Sequence, residues 1–195
     1  MKYLSFDIEA TGLNSHDLII EIAYVPFDTE TLTLEDSLAG HFFIQCPSFE
    51  DLKPGLDPWV IEHNQTLIET AHSKGLPIQD FKVKWAQYLE SAPVREYFKD
   101  YKKVTLFGKS MSAIDLPFLN RDLGWDWMRK YFEHRQLDLS SVAYNLIDLN
   151  IMPAKCMSGS ELMKYLGMGD VAHTALEDAR NTALMYFEII KRFKK

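Results

Sequence analysis

Cysteine is scarce: Cys46 and Cys156 are the only two in 195 residues. Two cannot build a disulfide framework, and nothing has metal-thiolate spacing, so both are expected to be free thiols in a reducing compartment. Long apolar runs are missing too. No stretch approaches 18 consecutive apolar residues, so no transmembrane helix and no membrane partner are expected. The opening MKYLSFDIEATGL has its apolar run broken by Asp7 and Glu9 and does not read as a signal peptide. The expected setting is cytoplasmic, and the sequon Asn64-Gln65-Thr66 is read as accidental. Basic charge is in deficit: 21 Lys and Arg stand against 28 Asp and Glu, a net charge of −7. That argues against a protein that coats long nucleic acid or an anionic surface by bulk charge, but leaves room for a local phosphate site. No repeat, low-complexity tract or long linker interrupts the chain.

The rest of the composition is that of an ordinary globular protein, 47% hydrophobic and 25% charged. The length suggests one domain, here residues 1–195, with a core of its own. Residues 2–8, 18–27 and 38–46 read as strands forming an antiparallel meander, with a polar turn over 28–36. Pro47, Pro54, Gly55 and Pro58 mark a loop over 47–58. Helical patterns follow over 59–73 and 79–91, then a short strand at 103–107, helices at 116–123 and 126–133, a strand at 136–139, and helices at 140–147, 159–166 and 175–192. Strands first, then helices alternating with strands, imply a mixed sheet with helices packed on it.

Chemistry-bearing residues fall at three places. Asp7 and Glu9 are two apart on a strand, so both point to one face while Phe6 and Ile8 point to the other. Adjacent carboxylates repel unless a cation or proton relieves them, and hard divalent ions suit carboxylate oxygens. Asp28-Thr29-Glu30 repeats the pattern in a turn, so the pattern alone is weak. Only the first copy ends an apolar strand and enters a glycine turn, Ala10-Thr11-Gly12-Leu13. Asp115 precedes a helix, where capping is a competing role; Pro117 fits that helix's first turn. The preceding Gly108-Lys109-Ser110 imitates the end of a P-loop, but position 103 is Lys where the motif needs Gly, which excludes it. Finally, Thr174 and Glu177 form a capping box, which starts a helix at Thr174, leaves His173 just outside it and puts Asp178 in its first turn. A histidine there suits a general base near neutral pH.

Together these segments resemble the DEDDh 3′–5′ exonucleases of the DnaQ-like superfamily. The match is carried by Phe6-Asp7-Ile8-Glu9-Ala10-Thr11-Gly12-Leu13, by Asp115-Leu116-Pro117-Phe118-Leu119, and by His173 to Asp178 continued as Ala179-Arg180-Asn181. Ile19-Ile20-Glu21-Ile22-Ala23 and the stretch from Tyr131 to Ser141 also look like oligoribonuclease, although Ala10 stands where that group usually has Met and the second motif lacks its usual Asn and runs one residue longer. The resemblance implies a ribonuclease H-like α/β fold with a central mixed five-stranded sheet. It implies two Mg²⁺ or Mn²⁺ ions on Asp7, Glu9, Asp115 and Asp178, with Glu9 also counted as catalytic and His173 as the base. It implies 5′-mononucleotides released from single-stranded or short DNA or RNA with a free 3′ end, and contacts to the terminal nucleotides from Ala10, Thr11, Leu13, Trp59, His63 and Phe118. Two alternatives stand beside this: an oligoribonuclease for very short RNA, and a non-catalytic nucleic-acid-binding module on a nuclease scaffold. Trp125, Trp127, Tyr131 and Phe132 fit either the core or a homodimer interface.

Overall fold

The computed structural model describes residues 1–169 and 174–193. Strand β1 (Lys2–Ala10) runs antiparallel to β2 (Ile19–Asp28), which alone runs against the rest. The outer edge of β2 is shared by β3 (Thr33–Leu34) and β4 (Gly40–Phe43). On the other side β1 pairs in parallel with β5 (Leu106–Gly108), and β5 with β6 (Leu137–Asp138). The sheet is therefore mixed and α/β as expected, with six strands rather than five. The extra strand is β3, inside the 28–36 turn, where two residues continue the pairing at the far end of β2.

Period-2 alternation along β1 assigns its two faces. Leu4, Phe6 and Ile8 enter one core layer, under α4 (Ile78–Glu90), α5 (Ala92–Tyr97), α6 (Asp115–Leu123) and α7 (Trp125–Tyr131). In that layer Trp85 has no exposed surface and packs beside Tyr24, Phe81 and Phe132. The other face carries Tyr3, Ser5, Asp7 and Glu9. Tyr3, with Phe27 and Phe107, joins a second layer under α8 (Leu139–Asp148), α9 (Gly159–Leu166) and α10 (Ala175–Phe193). The buried Ser5 hydroxyl donates to the Ala179 carbonyl at 2.6 Å, pinning α10 across β1. A third cluster joins Ile20 to α1 (Phe49–Leu52), α2 (Pro58–His63) and α3 (Gln65–Lys74).

Three local details differ from the sequence reading. The 47–58 loop contains the short helix α1, capped by Ser48 on Asp51 N–H. The segment after residue 91 forms α5, with Pro93 in its first turn, where a missing N–H costs nothing. The aromatic group near residue 130 divides: Phe132 is core, Trp127 and Tyr131 pack against the core, and Trp125 is exposed under Arg129. Cys46 and Cys156 are both free and buried. Among the described residues no helix is long and apolar enough to cross a membrane.

Candidate active site

Strand β1 ends in a register shift between Glu9 and Ala10, beyond which the chain turns through residues 11–18. Asp7 and Glu9 lie on one face before that turn. The first turn of α10 crosses above them and brings in Asp178. One carboxylate oxygen from each of Asp7, Glu9 and Asp178 lies within 4.8 Å of the others. Helix α10 starts as the capping box requires: Thr174 Oγ1 accepts from Glu177 N–H at 3.4 Å and the Thr174 carbonyl from Asp178 N–H.

Asp115 reaches the same place from the opposite core layer. Its ladder partner explains why: β5 pairs with β1 only at Leu4 and Ser5, which leaves the Ile8 N–H without a strand partner. Asp115 Oδ1 accepts that N–H at 3.1 Å from a residue only 5% exposed. Asp115 is thus the first residue of α6 rather than its N-cap, and its side chain serves the end of the sheet instead of the helix.

Electrostatics follow from this crowding. The Asp7 carboxyl is pushed well above the usual carboxylate range, first by burial and then by Asp115, Glu9 and Asp178. Glu9 is pushed up to about 7 by burial, followed by Asp178, Glu21 and Asp115. Burial also raises Asp115, partly offset by its backbone hydrogen bonds. Lys109 opposes the rise at all three. Without a cation, protons must relieve this cluster. The donor set fits a hard divalent ion: oxygens only, several anionic, at a spacing that small side-chain rotations bring to the about 3–4 Å between ligands of an octahedral ion.

These acids floor a cavity of about 590 Å³, which Ala10, Thr11, Leu13, Trp59 and Lys109 also line. Leu13 is 75% exposed and Trp59 58% exposed. His63 does not line the cavity. It stacks on Trp59 at 4.4 Å between ring centroids and braces it, its Nδ1 on the Trp59 carbonyl at 2.8 Å. Thr11 is buried, and its hydroxyl accepts from Leu18 N–H at 2.9 Å, so its side chain holds the loop. Phe118 lies in the core beneath Arg121 and does not line the cavity. His173 lies outside the described residues.

Several residues that support the site were not singled out for it. Glu21, opposite Glu9 in the ladder, is 1% exposed; it bonds His41 Nε2 and accepts the Ala175 N–H at 3.2 Å, tying α10 to β2 and β4. An acid inside the apolar run of residues 19–25 is the signal that marks it. Asp17 and Arg121 brace the 11–18 loop. The Asp17 carboxylate accepts from Asn14 N–H at 2.7 Å, and Arg121 Nη1 donates to the Ser15 and Asp17 carbonyls, each at 2.7 Å. A Cβ on Gly12 would lie 2.5 Å from Asp17 Oδ2, so this brace also requires the glycine. Nothing in sequence spacing pairs position 17 with position 121.

Residues 4–186 match the family model RNase_T, described as exonuclease. No curated protein matches the chain by sequence. Among solved structures, the zinc-bound complex of E. coli ExoI with single-stranded DNA superposes with a TM-score of 0.74 at 17% identity, covering all of this chain and 41% of that one. Cell-death related nuclease 4 (CRN-4) gives 0.69 at 13% identity, over 98% of this chain and 64% of its own. The nuclease domain of 3′hExo, a DEDDh family member bound to rAMP, gives 0.67 at 16%, over 98% and 92%. The chain thus spans less than two thirds of the first two proteins. At these identities the likeness establishes the ribonuclease H-like exonuclease fold.

Proposed function

The chain belongs to the RNase_T exonuclease family and is a nuclease, and from that premise we propose that it is a divalent-metal-dependent 3′–5′ exonuclease of the DEDDh type. Its substrate would be single-stranded or short DNA or RNA with a free 3′ end, and its product 5′-mononucleotides. The observation that carries this reading is the convergence of Asp7, Glu9 and Asp178 oxygens within 4.8 Å, beside Asp115, on the floor of a cavity with exposed Leu13 and Trp59 on its wall.

Asp7, Glu9, Asp115 and Asp178 would hold two Mg²⁺ or Mn²⁺ ions, which supply Lewis-acid polarisation of the phosphodiester and a lowered pKa for the attacking water. Asp7, crowded by Asp115, Glu9 and Asp178, would contribute to holding the ions alongside all three. His173, by its place in the third motif, would accept the proton of the attacking water on a ring nitrogen. Leu13 and the face of Trp59 offer sequence-tolerant contact to terminal bases, since every base has a π-face. Ala10 and Thr11 line the same cavity. The 3′hExo complex with rAMP and the ExoI complex with single-stranded DNA support a substrate of this class.

The test is incubation of 5′-labelled DNA and RNA oligomers, from dinucleotides to about 20-mers, with Mg²⁺ or Mn²⁺, beside an Asp7→Ala control. Stepwise shortening from the 3′ end, lost in EDTA and in the control, is expected. Absence of shortening would leave a non-catalytic binding module. RNA dimers cut far faster than longer strands would favour the oligoribonuclease reading, and equal use of long DNA would count against it.

A further inference from the structure

The proposed substrate is a polyanion, yet the cavity that would receive it is walled by acids. Asp7, Glu9, Asp17, Asp57, Asp115 and Asp178 all line it, and Lys109 is the single basic residue among the described residues that do. The Lys109 ammonium sits close enough to Asp7, Glu9 and Asp115 to oppose their crowding. A cation at the wall of a cavity otherwise lined by acids is the group there that attracts an incoming anion.

The backbone around Lys109 is fixed. Gly108 ends β5, with Met111 and the Phe6 carbonyl so close that a Cβ there would lie 3.1–3.3 Å from them. Ser110 adopts a left-handed conformation, φ 58°, unusual for a residue with a side chain. It is held there by its N–H donating to Asp138 Oδ1 at 3.0 Å and by its hydroxyl on Ser140 Oγ at 2.8 Å. Asp138 also caps α8 through Ser140 N–H at 2.8 Å, so the turn is anchored to a helix terminus. At the other end of the lysine, a Cβ on Gly159 would fall 2.9 Å from Nζ, and the glycine gives the ammonium its room.

Building on the exonuclease reading, we propose that Lys109 is a phosphate-binding residue, its ammonium contacting a non-bridging oxygen of the phosphate that the site acts on. A compact ammonium with three donors suits this task, and in a cavity otherwise acidic it is the protein's own countercharge for the substrate.

The test compares wild type, Lys109→Met, Lys109→Arg and Gly159→Ala by calorimetric titration, first with Mn²⁺ alone and then with a 5′-mononucleotide at saturating Mn²⁺, alongside kcat and KM on a single-stranded oligomer. Lys109→Met should weaken mononucleotide binding by about tenfold or more, the size of a lost charge-assisted hydrogen bond. Its Mn²⁺ affinity should be unchanged or higher, because a cation beside the carboxylates has gone. Lys109→Arg should restore most of the loss. Gly159→Ala, which moves the ammonium without removing it, should give an intermediate loss and keeps the test open if Lys109→Met melts early. Mononucleotide affinity equal to wild type, or Mn²⁺ affinity falling in step with it, would overturn the assignment. If wild type itself neither shortens oligomers nor binds the mononucleotide, the exonuclease reading fails first and takes this inference with it.

Discussion

A carboxyl titrating near 7 is costly to ionise, and Glu9 shows what that cost implies. Its folded value is about 7 against an ordinary 4.5, so between those pH values the folded state binds more protons than the unfolded one. Stability therefore falls as pH rises through that window. The metal-free protein should melt at lower temperature at pH 7.5 than at pH 5, and Glu9→Gln should flatten the trend. Added Mn²⁺ should raise the melting temperature strongly at pH 7.5 and little at pH 5, where protons hold the ligands. An equal Mn²⁺ shift at both values, in a thermal-melt series, would contradict the ligand assignment. His173→Ala should behave differently. Turnover is expected to drop by about 10²-fold or more, the scale of general-base catalysis, while calorimetry finds Mn²⁺ binding retained, because all four carboxylates remain.

At the scale of elements, the site depends on where β1 stops. Its bulge at Glu9 and Ala10 releases the chain into the 11–18 loop, and α6 supplies Arg121 to hold that loop by two carbonyls. Arg121→Ala should let the loop that carries Leu13 move, raising KM several-fold with kcat less affected, since no proposed metal ligand shifts; steady-state kinetics on a short oligomer separates the two. Helix α10 is tied instead by Glu21, whose carboxylate accepts the Ala175 N–H while His41 holds its other oxygen. Glu21→Ala leaves that N–H without its carboxylate acceptor and should weaken Mn²⁺ binding through Asp178, a loss Glu21→Gln should partly restore by keeping an acceptor. Calorimetric Mn²⁺ titration of both variants checks this.

For the whole molecule, net charge decides how substrate is held. The two proposed divalent ions would add four positive charges to −7 and leave −3, a bulk charge that does not draw in a long polyanion. Grip should come from the ions, Lys109 and contacts at the 3′ end. Dependence of oligomer affinity on salt should then be shallow, a log–log slope near −0.7 per phosphate met by a lysine, and KM should stop improving beyond a few nucleotides. A steep slope with KM still falling at 20 nucleotides would point to an extended binding surface. The strand carrying Asp7 and Glu9, the capping box that starts α10 and the mixed α/β class were all legible in the residue order, because alternation and capping are local patterns of side-chain direction and hydrogen bonding. It took the folded chain to turn Asp115 from its own helix to the orphaned Ile8 N–H, to put Phe118 in the core, and to gather Glu21, His41, Asp17, Arg121 and Lys109 around the acids. Those assignments depend on which backbone groups a finished sheet leaves unpaired and which layers close over it, and such long-range pairings leave no periodic mark in the chain.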